Sequence, residues 1–271
     1  MSQTPPSQDD ELAGTEQPFI SHLIELRDRL LRAAAAIGLA ALALALYPGP
    51  GPLYDLLAAP LVAHLPAGTT LIATSVISPF MVPLKILLVA AFLVALPVVL
   101  YQAWAFVAPG LYSHEKRLVL PLVVSSTLLF FIGVAFCYFF VFGQVFKFIQ
   151  SFAPKSITAA PDIEAYLSFV LTMFIAFGLA FEVPVAVVVL ARLGLVTVDK
   201  LKSFRGYFVV VAFVIAAVVT PPDVVSQLAL AIPMCILYEL GIWSAKAFIR
   251  YTRAPDDKAE DPPAEKTEPS A

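Results

Sequence analysis

The sequence predicts an all-α polytopic membrane protein with six transmembrane helices, and three observations carry that prediction. Hydrophobic residues make up 60% of the 271 and charged residues only 14%, against roughly 25% charged in soluble domains. Apolar runs long enough to cross a bilayer recur along the chain, separated by proline clusters or charged loops. Basic residues gather on alternate loops, which suits an even number of spans. Mean hydropathy is +0.87. The formal net charge of −3 says little, because acids crowd the two tails and bases crowd the span ends.

Residues 1–17 are polar, proline-containing and unpatterned, and are expected to be a disordered tail. A membrane domain then occupies 18–250, and 251–271 form a second acidic, proline-rich tail. The domain opens on FISHLIELRDRLLR, Phe19 to Arg32. At helical spacing Phe19, Leu23, Leu26 and Leu30 share one face, and His22, Glu25 and Arg29 share another. Span one follows, about Leu30 to Tyr47. It exceeds the roughly 7–15 residues of a signal-peptide core, and acidic residues precede it, so it is expected to be retained.

The prolines of YPGPGP end that helix. Residues 51–78 are expected outside the membrane, with one amphipathic piece from Leu53 to Val62. Span two is about Phe80 to Val107, with Pro97 expected to kink it. In the short charged loop after it, Ser113 is a good N-cap and Glu115 falls in the first turn of the next helix, where a carboxylate is favoured. Span three is about Leu118 to Phe142, and 143–165 are expected to be a second external loop. Span four, about Tyr166 to Leu190, holds Glu182 deep in an apolar run. Pro184 is expected to open the helix near the carbonyl of Ala180. Spans five and six, about Gly206–Val219 and Val225–Trp243, are separated by TPPD at 220–223. Span five is short for a bilayer, so it must thin the membrane, be buried in protein or line a wet cavity.

Orientation follows from the cations. Arg27, Arg29, Arg32, Lys116, Arg117, Arg192, Lys200, Lys202 and Arg205 fall on one side, and only Lys85, Lys147 and Lys155 on the other. Both termini are therefore expected in the cytoplasm. Glu25 and Glu115 then share the cytoplasmic face, either as ordinary interfacial ion pairs or as acceptors for a guanidinium, whose planar fork suits a carboxylate. An ionisable group within a span is costly, so Glu182 is expected to be functional, as a partner-docking group or part of a proton path. Tyr138, Thr220 and Gln227 are its expected polar neighbours. Lys85 is expected to snorkel at a span end, and Glu239 to be interfacial. Cys137 and Cys235 lie in apolar runs and show neither disulfide nor metal spacing.

Five segments carry a family resemblance: SHLIELRDRLLR, ATSVISPF (73–80), YQAWAFVAPGLYSHEKR (101–117), AFGLAFEVPVA (176–186) and VVTPPDVVSQLALAIPM (218–234). In order and spacing they resemble TatC, the large subunit of the twin-arginine protein translocase, across roughly residues 17–250. The resemblance implies a cup-shaped bundle in the bacterial cytoplasmic (inner) membrane, with both termini cytoplasmic. It implies a receptor for twin-arginine signal peptides on folded cargo, driven by the proton motive force, with no cofactor, metal or nucleic acid. By position, Glu25 and Glu115 match the family's acidic signal-binding residues. Arg27, Phe106 and Leu111 match other positions of that patch, and His22 belongs to the same motif. Glu182 matches the family's intramembrane glutamate. Thr220 and Gln227 match its polar patch for single-span TatA/TatB-type partners, in an oligomeric receptor complex.

Two other classes fit less of the sequence. A proton-coupled solute transporter accounts for Glu182 and the broken span pair, but requires internal repeats, and none is visible. An intramembrane enzyme requires a catalytic constellation. His22, His64 and His114 all lie outside the spans, and no acid pair shares a span.

Overall fold

The computed structural model describes residues 8–63, 71–107, 119–152, 161–220 and 223–252. Among them the chain forms ten α-helices: α1 (Gln8–Leu46), α2 (Pro50–Val62), α3 (Ser78–Val107), α4 (Val119–Phe136), α5 (Phe142–Phe152), α6 (Ile163–Phe181), α7 (Val183–Arg192), α8 (Val198–Ser203), α9 (Arg205–Val219) and α10 (Val224–Thr252). Five stretches are long and apolar enough to cross a membrane: Ile20–Leu46, Ser78–Phe106, Leu120–Ser151, Ile163–Arg192 and Val224–Ala247. A sixth apolar helix, Arg205–Val219, is shorter. Helix α1 reaches back to Gln8, into the stretch assigned to a tail from sequence.

Why the long runs break where they do is readable in the backbone. Pro184 lacks the N–H that would bond to Ala180, so the helix is interrupted and α7 starts afresh with the proline in its first turn. The Glu182 N–H turns instead to the carbonyl of Leu179, at 3.1 Å. Between α9 and α10, Thr220 swings to an extended conformation, φ −90° and ψ 157°. Asp223 then caps α10, accepting from the Ser226 N–H at 2.7 Å. Pro83 and Pro97 lie inside α3 without ending it.

The third span differs from expectation. It does not stop at Phe142 but passes through a π-helical turn, Cys137–Val141, and continues as α5 to Phe152. Residues 143–152 therefore belong to a helix, not to an external loop. Gly143, Gln144, Lys147 and Gln150 lower the mean hydropathy there, but Phe142, Val145 and Phe146 fall on one face and are buried. That face meets α6, with Phe146 6.0 Å from Phe169 and 5.9 Å from Tyr166 between ring centroids. Periodicity, not hydropathy, decides this helix.

The core lies where α4, α5, α6, α9 and α10 meet, around Phe142, Met173, Phe174, Phe177 and Leu230. Helix α4 approaches α6 so closely that a Cβ on Gly133 would sit 2.6 Å from the carbonyl oxygen of Phe177. A Cβ on Gly178 would collide with the Phe130 ring, and one on Gly241 would lie 2.9 Å from Pro184 Cα. Small residues let membrane helices pack backbone to backbone, where the hydrophobic effect supplies little attraction between them. Helix α1 is the exception. It packs on α3 but leaves Leu30, Leu39, Leu42 and Leu46 exposed, so lipid must cover them.

The two ends of the bundle are distinguished by what clamps them. At one end, the α2 carbonyls of Leu56 and Leu57 accept from Tyr138 and Tyr166 at 2.7 and 2.8 Å. Asp162 caps α6 through the N–H groups of Glu164 and Ala165, and also accepts from the N–H and hydroxyl of Thr74. These four donors hold its carboxyl near a pKa of about 2, with the Thr74 hydroxyl the largest cause. Lys85 does not merely snorkel: it pairs with Glu164 at 2.6 Å. At the opposite end Arg205 pairs with Glu239 at 2.6 Å. Asp199, beside Lys202 at 2.9 Å, is held below the usual carboxylate range by that ammonium.

Candidate functional site

Two places gather the residues singled out from sequence. The first is where the beginning of the α1 span meets the end of α3. The His22 ring stacks on Phe106, centroids 4.3 Å apart and planes 18° from parallel. One turn on, Glu25 Oε1 accepts from both Nε and Nη2 of Arg29, at 2.9 and 2.5 Å. Its other oxygen, Oε2, faces His22 Nδ1 at 3.9 Å. Helical spacing produces the contacts of Glu25 with Arg29 and His22, since positions 22, 25 and 29 stand three and four apart on one face. Arg27 lies elsewhere on the helix and pairs with Asp28 at 2.8 Å. Leu111 and Glu115, with Ser113 and the loop cations, lie outside the described residues. The structure thus brings together His22, Glu25 and Phe106, with Arg29 as a fourth member, and sets Arg27 apart.

The chemistry of this patch is legible. Glu25 already holds a guanidinium by two charge-assisted hydrogen bonds on one oxygen, while its second oxygen lies 3.9 Å from the Nδ1 of an aromatic-stacked imidazole. A second guanidinium, brought by a ligand, has a carboxylate oxygen to bond and a flat ring pair to lie against.

The second place is Glu182, at the break between α6 and α7. Both carboxyl oxygens are buried, and neither closes a hydrogen bond among the described residues. None of the three expected polar neighbours hydrogen-bonds to it. Tyr138 donates to Leu56, Thr220 donates to Ala216 at 2.8 Å, and Gln227 donates to Phe213 at 3.4 Å, all backbone carbonyls. Thr220 bonds back to its own helix, Gln227 reaches across to α9, and Tyr138 sits at the α2-clamped end. Ser126 of α4 comes level with Glu182, because Phe130 one turn on packs against Gly178 one turn back, and Ser126 accepts from Trp104 Nε1 at 3.0 Å. Sequence reasoning passed over both residues. Their signal was weak: a serine in an apolar run more often bonds back to its own helix. No His, Cys, Asp and Glu cluster among the described residues has the makings of a metal site.

Long apolar helices with proline-broken spans, an acid at one break and an ion-paired patch at one end define a polytopic membrane protein. Residues 21–233 match the family described as Sec-independent protein translocase protein (TatC), and the chain belongs to that family. It is 50% identical over 245 residues to the TatC of Halothiobacillus neapolitanus, covering 90% of this chain and 66% of that longer one. It is 48% identical over 233 residues to the TatC of Escherichia coli strain K12, covering 86% of this chain and 90% of that one. A crystal structure of a twin-arginine translocase receptor, TatC, superposes with a TM-score of 0.72 at 41% identity. It spans 84% of this chain and all of the other.

Proposed function

We propose that this subunit is the signal-peptide receptor of Sec-independent transport in the bacterial cytoplasmic membrane. It binds the paired arginines of folded cargo proteins at a carboxylate patch on the cytoplasmic face. Glu25, held by Arg29 beside the His22–Phe106 stack, is the observation that carries this reading. A carboxylate that binds one guanidinium through a single oxygen keeps the other oxygen for a second. In the proposed assembly Glu115 and Leu111 complete the patch from the loop after α3, and Arg27 borders it. Six spans form a cup with both termini cytoplasmic. Glu182, Thr220, Gln227 and Tyr138 serve single-span TatA/TatB-type partners within an oligomeric complex powered by the proton motive force.

The test is photocrosslinking of a twin-arginine peptide to the protein in membranes, with probes at positions 25 and 115 and a twin-lysine peptide as control. Arginine-selective crosslinks from both positions are expected. Crosslinks indifferent to arginine reduce the two carboxylates to interfacial ion pairs. The inner role is tested apart from the surface one: Glu182→Ala is expected to keep peptide binding and lose export. Normal export by that variant returns Glu182 to packing alone.

A further inference from the structure

Hydroxyl groups on the helices of this protein mostly spend their proton on their own helix. Ser125 donates to Leu122, Ser151 to Phe148, Thr172 to Ser168, Ser203 to Lys200 and Thr220 to Ala216. Such back-bonding is the ordinary fate of a serine or threonine inside a helix. Ser126 departs from it. Its side chain is fully buried in α4, and its oxygen receives the Trp104 indole N–H from α3 at 3.0 Å. An indole nitrogen only donates, so the Ser126 proton is not consumed in that bond. A buried hydroxyl proton without an acceptor is costly. Phe130, one turn further along α4, packs against Gly178, one turn earlier on α6, and this antiparallel register brings Ser126 level with Glu182, whose two buried carboxyl oxygens close no hydrogen bond.

The spare donor and the spare acceptors belong to each other. We propose that Trp104 and Ser126 are positioning residues for Glu182. The indole N–H occupies a lone pair of the Ser126 oxygen and so turns its O–H toward the Glu182 carboxyl. The arrangement ties three elements to one point: the end of α3, the first turns of α4 and the α6–α7 break. It also gives the Glu182 carboxyl a fixed direction. Trp104 lies two residues before Phe106, so the helix that carries one wall of the surface patch also carries the anchor of the intramembrane acid. The consequence for transport rests on the role proposed for Glu182 above; the hydrogen bond itself does not.

The experiment is difference infrared spectroscopy of the full-length protein in lipid, with the Glu182 carboxyl band assigned by its loss in Glu182→Gln. The band is expected to shift in Ser126→Ala and to shift part of the way in the same direction in Trp104→Phe. In the double variant it is expected to move no further than in Ser126→Ala. Ser125→Ala, which removes the neighbouring back-bonded hydroxyl, is expected to leave the band in place. An unmoved band in Ser126→Ala overturns the proposal, as does an equal shift in Ser125→Ala, which reports general repacking. An unmoved band in Trp104→Phe removes Trp104 from it. Export by Glu182→Gln is read separately: normal export there ends the transport role of Glu182 and leaves the hydrogen bond standing.

Discussion

Glu25 shows what the residue scale contributes. Its charge is not idle in the free protein, because Arg29 already occupies one oxygen. On the proposed receptor reading an incoming arginine exchanges partners in part, and the net gain is smaller than the 1.5–3 kcal/mol of a fresh charge-assisted hydrogen bond. Glu25→Gln is expected to weaken twin-arginine peptide binding about tenfold, near 1.4 kcal/mol, measured by titration of a labelled peptide against the purified protein. Arg29→Gln is expected to act in the opposite sense and tighten binding, since it removes the internal competitor. Unchanged affinity in both variants takes Glu25 out of the site. Sequence spacing foresaw the shared face of His22, Glu25 and Arg29. It did not foresee the stack on Phe106, because that contact joins positions 84 residues apart and no local pattern encodes it. Nor did it find Ser126 at Glu182: polar residues were paired by plausibility, while the fold satisfied Tyr138, Thr220 and Gln227 with backbone carbonyls of their own surroundings.

At the scale of elements, breaks were legible and continuations were not. Pro184 and the prolines of TPPD remove backbone donors wherever they stand, so α6 from α7 and α9 from α10 separate as the sequence requires. The extension of α4 through the π turn into α5 was hidden, because its evidence is a buried stripe within a polar average. Helix contacts carry a second expectation. Gly133→Ala would set a methyl 2.6 Å from a backbone oxygen of α6. Backbone does not yield as a side-chain tip does, so a loss of about 1–3 kcal/mol is expected. Thermal unfolding in detergent reads it, with Gly38→Ala as control, since nothing lies within 4 Å of that position. A midpoint unchanged by Gly133→Ala would mean that α4 and α6 sit further apart than described. The Asp162 cap provides an expectation in pH. Its folded pKa of about 2 lies below the ordinary 3.8, so its contribution is complete above about pH 4 and is lost as pH falls through about 2. In Asp162→Asn the unfolding midpoint should fall less between pH 4 and pH 2 than in the parent protein. Parallel curves would show that the link from Thr74 to α6 adds nothing.

For the whole molecule the decisive quantity is length. Five stretches of 24 to 32 residues reach across a bilayer, while α9 has 15. At 1.5 Å per residue α9 measures about 22 Å against a hydrocarbon core of about 30 Å. Burial does not resolve the mismatch, because Tyr207, Val210, Val214 and Val218 stand exposed along it. Lipid must meet that face, and a bilayer that meets a short apolar helix thins toward it at modest cost per ångström. The thinning is expected on the α9 side alone, since α1 and α3 on the other flank are full length. Spin labels at Tyr207 and Val218, near the two ends of α9, should both report access to a water-soluble relaxing agent. A label at Val214, on the exposed face nearer the middle, should report access to oxygen instead. If one end proves as deep as the middle, α9 is tilted into a flat bilayer, and the membrane offers folded cargo no lowered barrier at this helix. If both ends are wet, the shortest path across the membrane runs beside α9, and the break at Thr220–Asp223 that keeps α9 short is what sets it.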